Sequence, residues 1–186
     1  MYRLTTARLV LEPLVDSDLD ELAALSAEPT FWHYPFGRGM SRDETAAFLE
    51  RMQARYRDDG TGVLAVRRHH DATLLGWAGL AVPHFLPEIL PAVEVGWRFG
   101  REFWGNGFAT EAAAAALDYA FEQCELTEIV SIFQPENVAS GAVMDRLGIT
   151  LERRTPHPVS GVELAVRSIS KADWLKWRER LAYRPE

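Results

Sequence analysis

The segment E-V-G-W-R-F-G-R-E-F-W-G-N-G-F-A-T-E-A, Glu94 to Ala112, limits what this chain can fold into more than any other. It sets a run of strand character, a turn containing Gly105 and Gly107, and the start of an Ala-rich helix in immediate succession. Such a turn aims several backbone N–H groups at one place, and the helix dipole adds partial positive charge there. Glycine permits the close approach and the left-handed angles that the turn requires. The ligand it suits is a phosphate or a pyrophosphate. G-x-G alone is a weak signal, because a helix preceded by a flexible turn reads the same way. Two phosphate-binding classes drop out. The full G-x-G-x-x-G is absent and the turn lies mid-chain, which argues against a dinucleotide fold. No Gly-Lys-Ser/Thr follows, so it is not a P-loop.

Hydrophobic periodicity places the remaining elements around this unit. Arg8–Pro13 alternates and ends at proline, as a first strand does. Asp16 or Ser17 is expected to cap a helix through Glu28, with Leu19, Leu22, Ala23 and Leu25 on one face. An irregular aromatic stretch, Thr30 to Met40, comes next. Ser41 with Glu44 three residues on forms a capping-box pattern and opens a helix through Arg57. Strands are expected at Val63–Arg67 and Leu74–Val82, a loop with three prolines at Pro83–Pro91, and a fourth strand at Ala92–Phe99. The helix from Gly107 to Gln123 shows an apolar stripe of Ala113, Ala116, Leu117, Ala120 and Phe121, which the spacing extends to Cys124. A fifth strand, Glu128–Phe133, leads into a helix from Asn137 to Leu147 stopped by Gly148. A hairpin through Ser160-Gly161 and a last helix, capped by Ser170 and running to Leu181, complete a mixed α/β order.

Composition narrows the function classes. With 186 residues, 47% hydrophobic and 25% charged, the chain suits one globular domain spanning 1–186. A formal net charge of -7 with no basic stripe excludes an ordinary nucleic-acid binder. Cys124 is the sole cysteine, so neither an internal disulfide nor a cysteine-based zinc site can form, and no metal is expected. No apolar run approaches the length of a spanning helix, and the N-terminus lacks a signal-peptide stretch. The expectation is a cytoplasmic protein without a membrane partner.

The Glu94–Ala112 segment resembles the acyl-CoA signature of the GCN5-related N-acetyltransferase superfamily, in particular the subgroup of RimJ- and RimL-type ribosomal-protein N-terminal acetyltransferases. Four further pieces match in order: R-L-V-L-E-P at Arg8, L-L-G-W-A-G-L at Leu74, Q-P-E-N-V-A-S-G-A-V-M-D-R-L-G-I at Gln134, and S-I-S-K-A-D-W at Ser168. They span nearly the whole chain. The superfamily's Gln/Arg-x-x-Gly-x-Gly/Ala falls on Trp104, Gly107 and Ala109, so Trp104 departs from the general residue. The resemblance implies an α/β (α+β) fold, a mixed, mostly antiparallel sheet of six to seven strands flanked by helices, with the fourth and fifth strands splayed. It implies acetyl-CoA as cosubstrate and acetyl transfer to a primary amine, either a protein N-terminus or a small amine such as a polyamine, amino acid or drug. A homodimer is a further expectation. The alternative is a non-catalytic CoA-binding sensor or scaffold.

The resemblance also distributes roles. Backbone groups of Trp97 and Phe99 would pair with the pantetheine amides like an added strand. Amides of Trp104, Gly105, Asn106, Gly107, Phe108, Ala109 and Thr110 would hold the pyrophosphate. Asn137, in N-x-x-S, is assigned to the cofactor side as well as to a helix N-cap, and Ser140 to a CoA contact or to protonation of the leaving thiolate. Glu94, on the strand beside the gap, is the candidate general base, with an ordinary salt bridge as its alternative. His33 and Tyr34 are placed at the acceptor pocket, and His84 facing it or simply solvated. Glu111 is read as a first-turn acid, Cys124 as a packing residue rather than an acetyl carrier, and Trp174 and Trp177 as packing aromatics.

Overall fold

A computed structural model describes residues 2–180. Eight strands form one sheet: β1 (Leu4–Thr5), β2 (Leu9–Pro13), β3 (Val63–Arg68), β4 (Leu74–Ala81), β5 (Glu94–Phe99), β6 (Glu128–Phe133), β7 (Leu151–Pro156) and β8 (Glu163–Ser170). Their order is β1-β2-β3-β4-β5-β6-β8-β7. Every neighbouring pair is antiparallel except β5 and β6, which run parallel. The sheet therefore has one strand more than the six or seven expected. The addition is the two-residue β1, too short to carry a periodic signal, so the expected fourth and fifth strands are β5 and β6.

Helices cover both faces. On one lie α1 (Leu19–Ala27), the short α2 (His33–Phe36) and α3 (Arg42–Asp59), which bury Leu22, Phe31, Trp32, Phe48 and Leu49 against Val63, Ala65 and Trp77. On the other lie α4 (Phe108–Glu122), α5 (Val138–Leu147) and α6 (Lys171–Arg178). From Ala112 to Leu117 every residue of α4 is buried, so the helix is enclosed nearly all round. Buried Asp118 accepts hydrogen bonds from Trp174 Nε1 (2.9 Å) and Arg178 Nη1 (2.8 Å), fixing α6 to α4, and Trp174 is fully buried as a packing aromatic. Trp177 donates from Nε1 to Arg146 O, its ring lying against Gly148.

Local caps explain most boundaries. The Ser41/Glu44 capping box forms at α3, Asn137 caps α5 and Ser170 caps α6. Gly148 ends α5 in the left-handed conformation (φ 72°). Some expectations change. Residues Asp16–Asp18 form a 3₁₀ turn and the α-helix begins at Leu19; the side chain that closes this turn is Asp18, accepting from Val15 N–H at 2.8 Å, not Asp16 or Ser17. The aromatic stretch contains the one-turn α2, and the proline loop contains a 3₁₀ turn at Pro87–Ile89. Cys124 lies beyond the last turn of α4 and is exposed, because the helix stops before the stripe reaches it. The expected end of the last helix at Leu181 lies outside the described residues.

Candidate active site

The parallel pair is the irregular part of the sheet. β5 and β6 share a single bridging pair, Glu94 with Val130, around which Val130 N–H donates to Val93 O at 3.0 Å. One residue further, Val95 O accepts the hydroxyl of buried Ser131 at 2.9 Å. A side chain thus takes the place of the next ladder bond, and the strands part. Six residues of β6 stay paired with β8 throughout. The expected splay is present, and Ser131, which no motif marked, closes its narrow end.

Main-chain groups alternate between the two edges of a strand. Val93 and Val95 present theirs to β6, whereas Gly100 N–H turns the other way to Leu75 O. By the same alternation Trp97 and Phe99 face the opening. The Phe99 carbonyl already accepts Trp104 Nε1 at 2.9 Å. Trp97 therefore offers both main-chain groups to the opening, and Phe99 its N–H and the second lone pair of that carbonyl. The same bond gives a definite role to Trp104, where the superfamily pattern has Gln or Arg, because its indole ties the loop back onto β5.

At the wide end, the turn into α4 has the backbone conformation that an anion site requires. Gly105 (φ 79°) and Gly107 (φ 81°) are left-handed, and a side chain at Gly105 would meet nothing within 4 Å, so the requirement there is conformational rather than steric. Gly107 is the N-cap of α4 and no side chain caps it. The first helical bond joins Glu111 N–H to Gly107 O, which leaves the Phe108, Ala109 and Thr110 amides at the exposed helix start without intrahelical partners. These amides fit a pyrophosphate. Asn106 Nδ2 donates to Phe103 O and Trp104 O (both 3.1 Å), so its side chain shapes the loop.

Arg8 and Glu111 brace this loop, beyond what the sequence indicated. Glu111, 7% exposed, accepts from Thr6 Oγ1 (2.6 Å), Arg8 N–H (3.1 Å) and Arg8 Nε (2.7 Å). Arg8 Nη1 donates to Asn106 O at 3.0 Å, and its guanidinium lies 4.7 Å from the centre of the Phe108 ring. Glu111 is therefore more than a first-turn acid: it joins the β1–β2 turn to α4.

Glu94 stands where the strands part. Its carboxylate faces the Ile132 N–H across the opening, and Glu94 Oε1 lies 3.9 Å from where a Gly96 side chain would begin. Trp77 is 3.8 Å from that same point, so Glu94 shares the α1/α3 face of the sheet. Burial pushes its carboxyl up to about 7, against the opposing pull of the Ile132 N–H and the Arg55 charge. No salt bridge holds it among the described residues. Asn137 Oδ1 accepts Ser140 N–H at 3.2 Å, so Asn137 is the N-cap of α5 and Ser140 sits half-buried in its first turn.

The acceptor-side candidates are less gathered. Tyr34 O, half-buried, accepts Arg98 Nη2 at 2.7 Å, and the exposed His33 ring packs edge-on against Tyr34 at 4.7 Å. His84 Nε2 lies 3.0 Å from the Asp59 carboxylate and so ties the proline loop to the end of α3.

The family follows from comparison with known proteins. A family model described as an acetyltransferase (GNAT) domain matches residues 8–150. The chain belongs to the GNAT acetyltransferases. It is similar to the FsC-acetyl coenzyme A-N(2)-transacetylase of Aspergillus fumigatus, 31% identical over 190 residues, covering 95% of this chain and 79% of that protein. Among solved structures, an acetyltransferase from Agrobacterium tumefaciens matches with 29% identity and a TM-score of 0.74, over 91% of this chain and 94% of that one. RimL, a ribosomal-protein alpha-N-acetyltransferase solved in complex with coenzyme A, shares the fold at 16% identity and a TM-score of 0.74, over 91% of this chain and 98% of that one. The protein is an acetyltransferase of a family that uses acetyl-CoA.

Proposed function

We propose that this GNAT protein transfers the acetyl group of acetyl-CoA to a primary amine by direct attack on the thioester, with an acceptor of the RimJ/RimL kind, a peptide N-terminus, or else a small amine. The observation that carries this is the opening between β5 and β6, bounded by the single Glu94–Val130 bridge and holding a carboxyl poised near neutrality. The names of the fungal relative and of RimL both describe transfer to nitrogen, which supports an amine.

In this reading the amides from Trp104 to Thr110 bind the pyrophosphate, and Trp97 N–H and C=O pair with the pantetheine arm. The thioester then lies at the narrow end, beside Glu94. The acceptor nitrogen, neutral, forms the new C–N bond as the C–S bond breaks. Backbone N–H groups lining the opening stabilise the oxyanion. Glu94, directly or through a water, takes the proton the nitrogen sheds, and a carboxyl near 7 is half in the basic form at neutral pH. The departing thiolate is protonated by the Ser140 hydroxyl or by water. Thiol release from acetyl-CoA, followed over time with spermidine, lysine, tyramine and Ser- or Ala-initiated peptides, tests the proposal. Amine-dependent release with a matching acetylated product is expected; a thermal shift with CoA but no release in any arm would favour the non-catalytic module.

A further inference from the structure

Arg98 is a cation with no countercharge among the described residues. It lies on β5, four residues beyond Glu94 and on the same face, opposite Trp77 of β4. Arg67 and Arg167, likewise largely removed from solvent, each pair with carboxylates. Arg98 has no carboxylate within ion-pair distance among the described residues. Its guanidinium lies 4.2 Å from the centre of the Trp32 ring and 5.6 Å from that of Trp77. Burial pulls it down to about 10, so it is still protonated at neutral pH. Keeping a charge in an aromatic pocket is unfavourable unless its donors do something that an apolar side chain cannot.

The two terminal nitrogens of Arg98 donate to one segment, while its buried Nε has no partner among the described residues. Nη1 donates to Phe31 O and Nη2 to Tyr34 O. Both carbonyls belong to the connection between α1 and α3, the stretch that carries His33 and Tyr34. That connection forms no strand pairing, and Tyr34 interrupts α2 with an extended conformation (φ -105°, ψ 128°). The planar fork of one arginine thus spans the distance between the strand that lines the opening and the stretch on the acceptor side.

We propose that Arg98 is a positioning residue, locking Phe31–Tyr34 onto β5 so that the acceptor wall keeps a fixed register with Glu94. The inference rests on the acetyl-transfer reading for what the wall receives, but the clamp itself is physical and separately measurable. Arg98→Met keeps the unbranched stem and its contacts with the aromatic rings while leaving both carbonyls without donors. Arg98→Lys keeps the charge and can reach one carbonyl at a time.

The experiment compares wild type and both variants by amide hydrogen exchange and by steady-state kinetics. The amine is whichever of the five probes wild type turns over fastest. In Arg98→Met, amides from Phe31 to Gly37 should exchange about tenfold faster or more, with the α4 amides unchanged. The amine KM should rise about tenfold or more while the acetyl-CoA KM holds, and Arg98→Lys should recover part of both effects. Unchanged exchange at Phe31–Gly37 overturns the proposal. So does exchange raised across the whole sheet, which would make Arg98 a general stabiliser, and so does local loosening with an unchanged amine KM. A wild-type protein that releases no thiol with any probe fails the acetyl-transfer reading instead, and the exchange arm still decides the clamp.

Discussion

Replacing Glu94 with Gln separates a proton acceptor from a structural carboxylate, because the two roles predict opposite signs. The side-chain shape survives, and the amide oxygen can still face the Ile132 N–H. Wild-type Glu94 is raised from 4.5 to about 7 by burial. If its basic form carries turnover, the active fraction climbs from roughly a tenth at pH 6 to roughly nine tenths at pH 8. In Glu94→Gln that step should vanish, and kcat should fall about 10²- to 10⁴-fold at pH 7. The deficit should widen between pH 6 and pH 8, because both proteins need the same neutral amine and only wild type gains its basic group there. Stability should move the other way. A carboxyl whose folded pKa lies above its unfolded value destabilises the fold as pH rises from 4.5 through 7. The full shift corresponds to about 3 kcal/mol, and less here because the side chain is only partly buried. Glu94→Gln carries no such penalty, so its melting temperature should match wild type at pH 5 and exceed it by several degrees at pH 8. Turnover by thiol release and melting by calorimetry across pH 5–9 measure both quantities on one preparation. A variant that melts lower than wild type at every pH, with near-normal turnover, would refute the argument and return Glu94 to a structural role.

Three further substitutions test the rest of the site. Gly107→Asp puts a favoured N-cap residue, one that tolerates left-handed angles, at the start of α4, so the fold should hold while its charge opposes the pyrophosphate; calorimetry should show CoA affinity down about a hundredfold or more. Unchanged affinity would remove the loop from the cofactor site. Ser140→Ala should lower kcat with little change in acetyl-CoA KM if the hydroxyl protonates the thiolate, or raise that KM if it only contacts CoA, and wild-type values for both would retire the residue. Ser131→Ala strands the Val95 carbonyl at the narrow end of the opening and should cost about 1–2 kcal/mol, read as a drop of several degrees in melting temperature; an unshifted melt would mean that the wedge contributes nothing.

Elements whose physics is local were legible in the sequence. Ser41 with Glu44, Asn137, Ser170 and Gly148 bound their helices as the spacing predicts, because a cap is an interaction within four residues. The G-N-G turn before the Ala-rich helix was likewise legible, since left-handed glycines and free first-turn amides are properties of one short stretch. Whatever depends on a partner far along the chain came only with the folded molecule. Nothing near Glu111 in sequence indicates that Thr6 and Arg8 enclose it, 105 and 103 residues away. The parting of β5 and β6 needs Ser131 opposite Val95, and the occupied Phe99 carbonyl needs the Trp104 indole folded back over its own strand. The raised pKa of Glu94 and the lowered pKa of Arg98 are consequences of burial, which a carboxylate or a guanidinium acquires only from the layers packed around it.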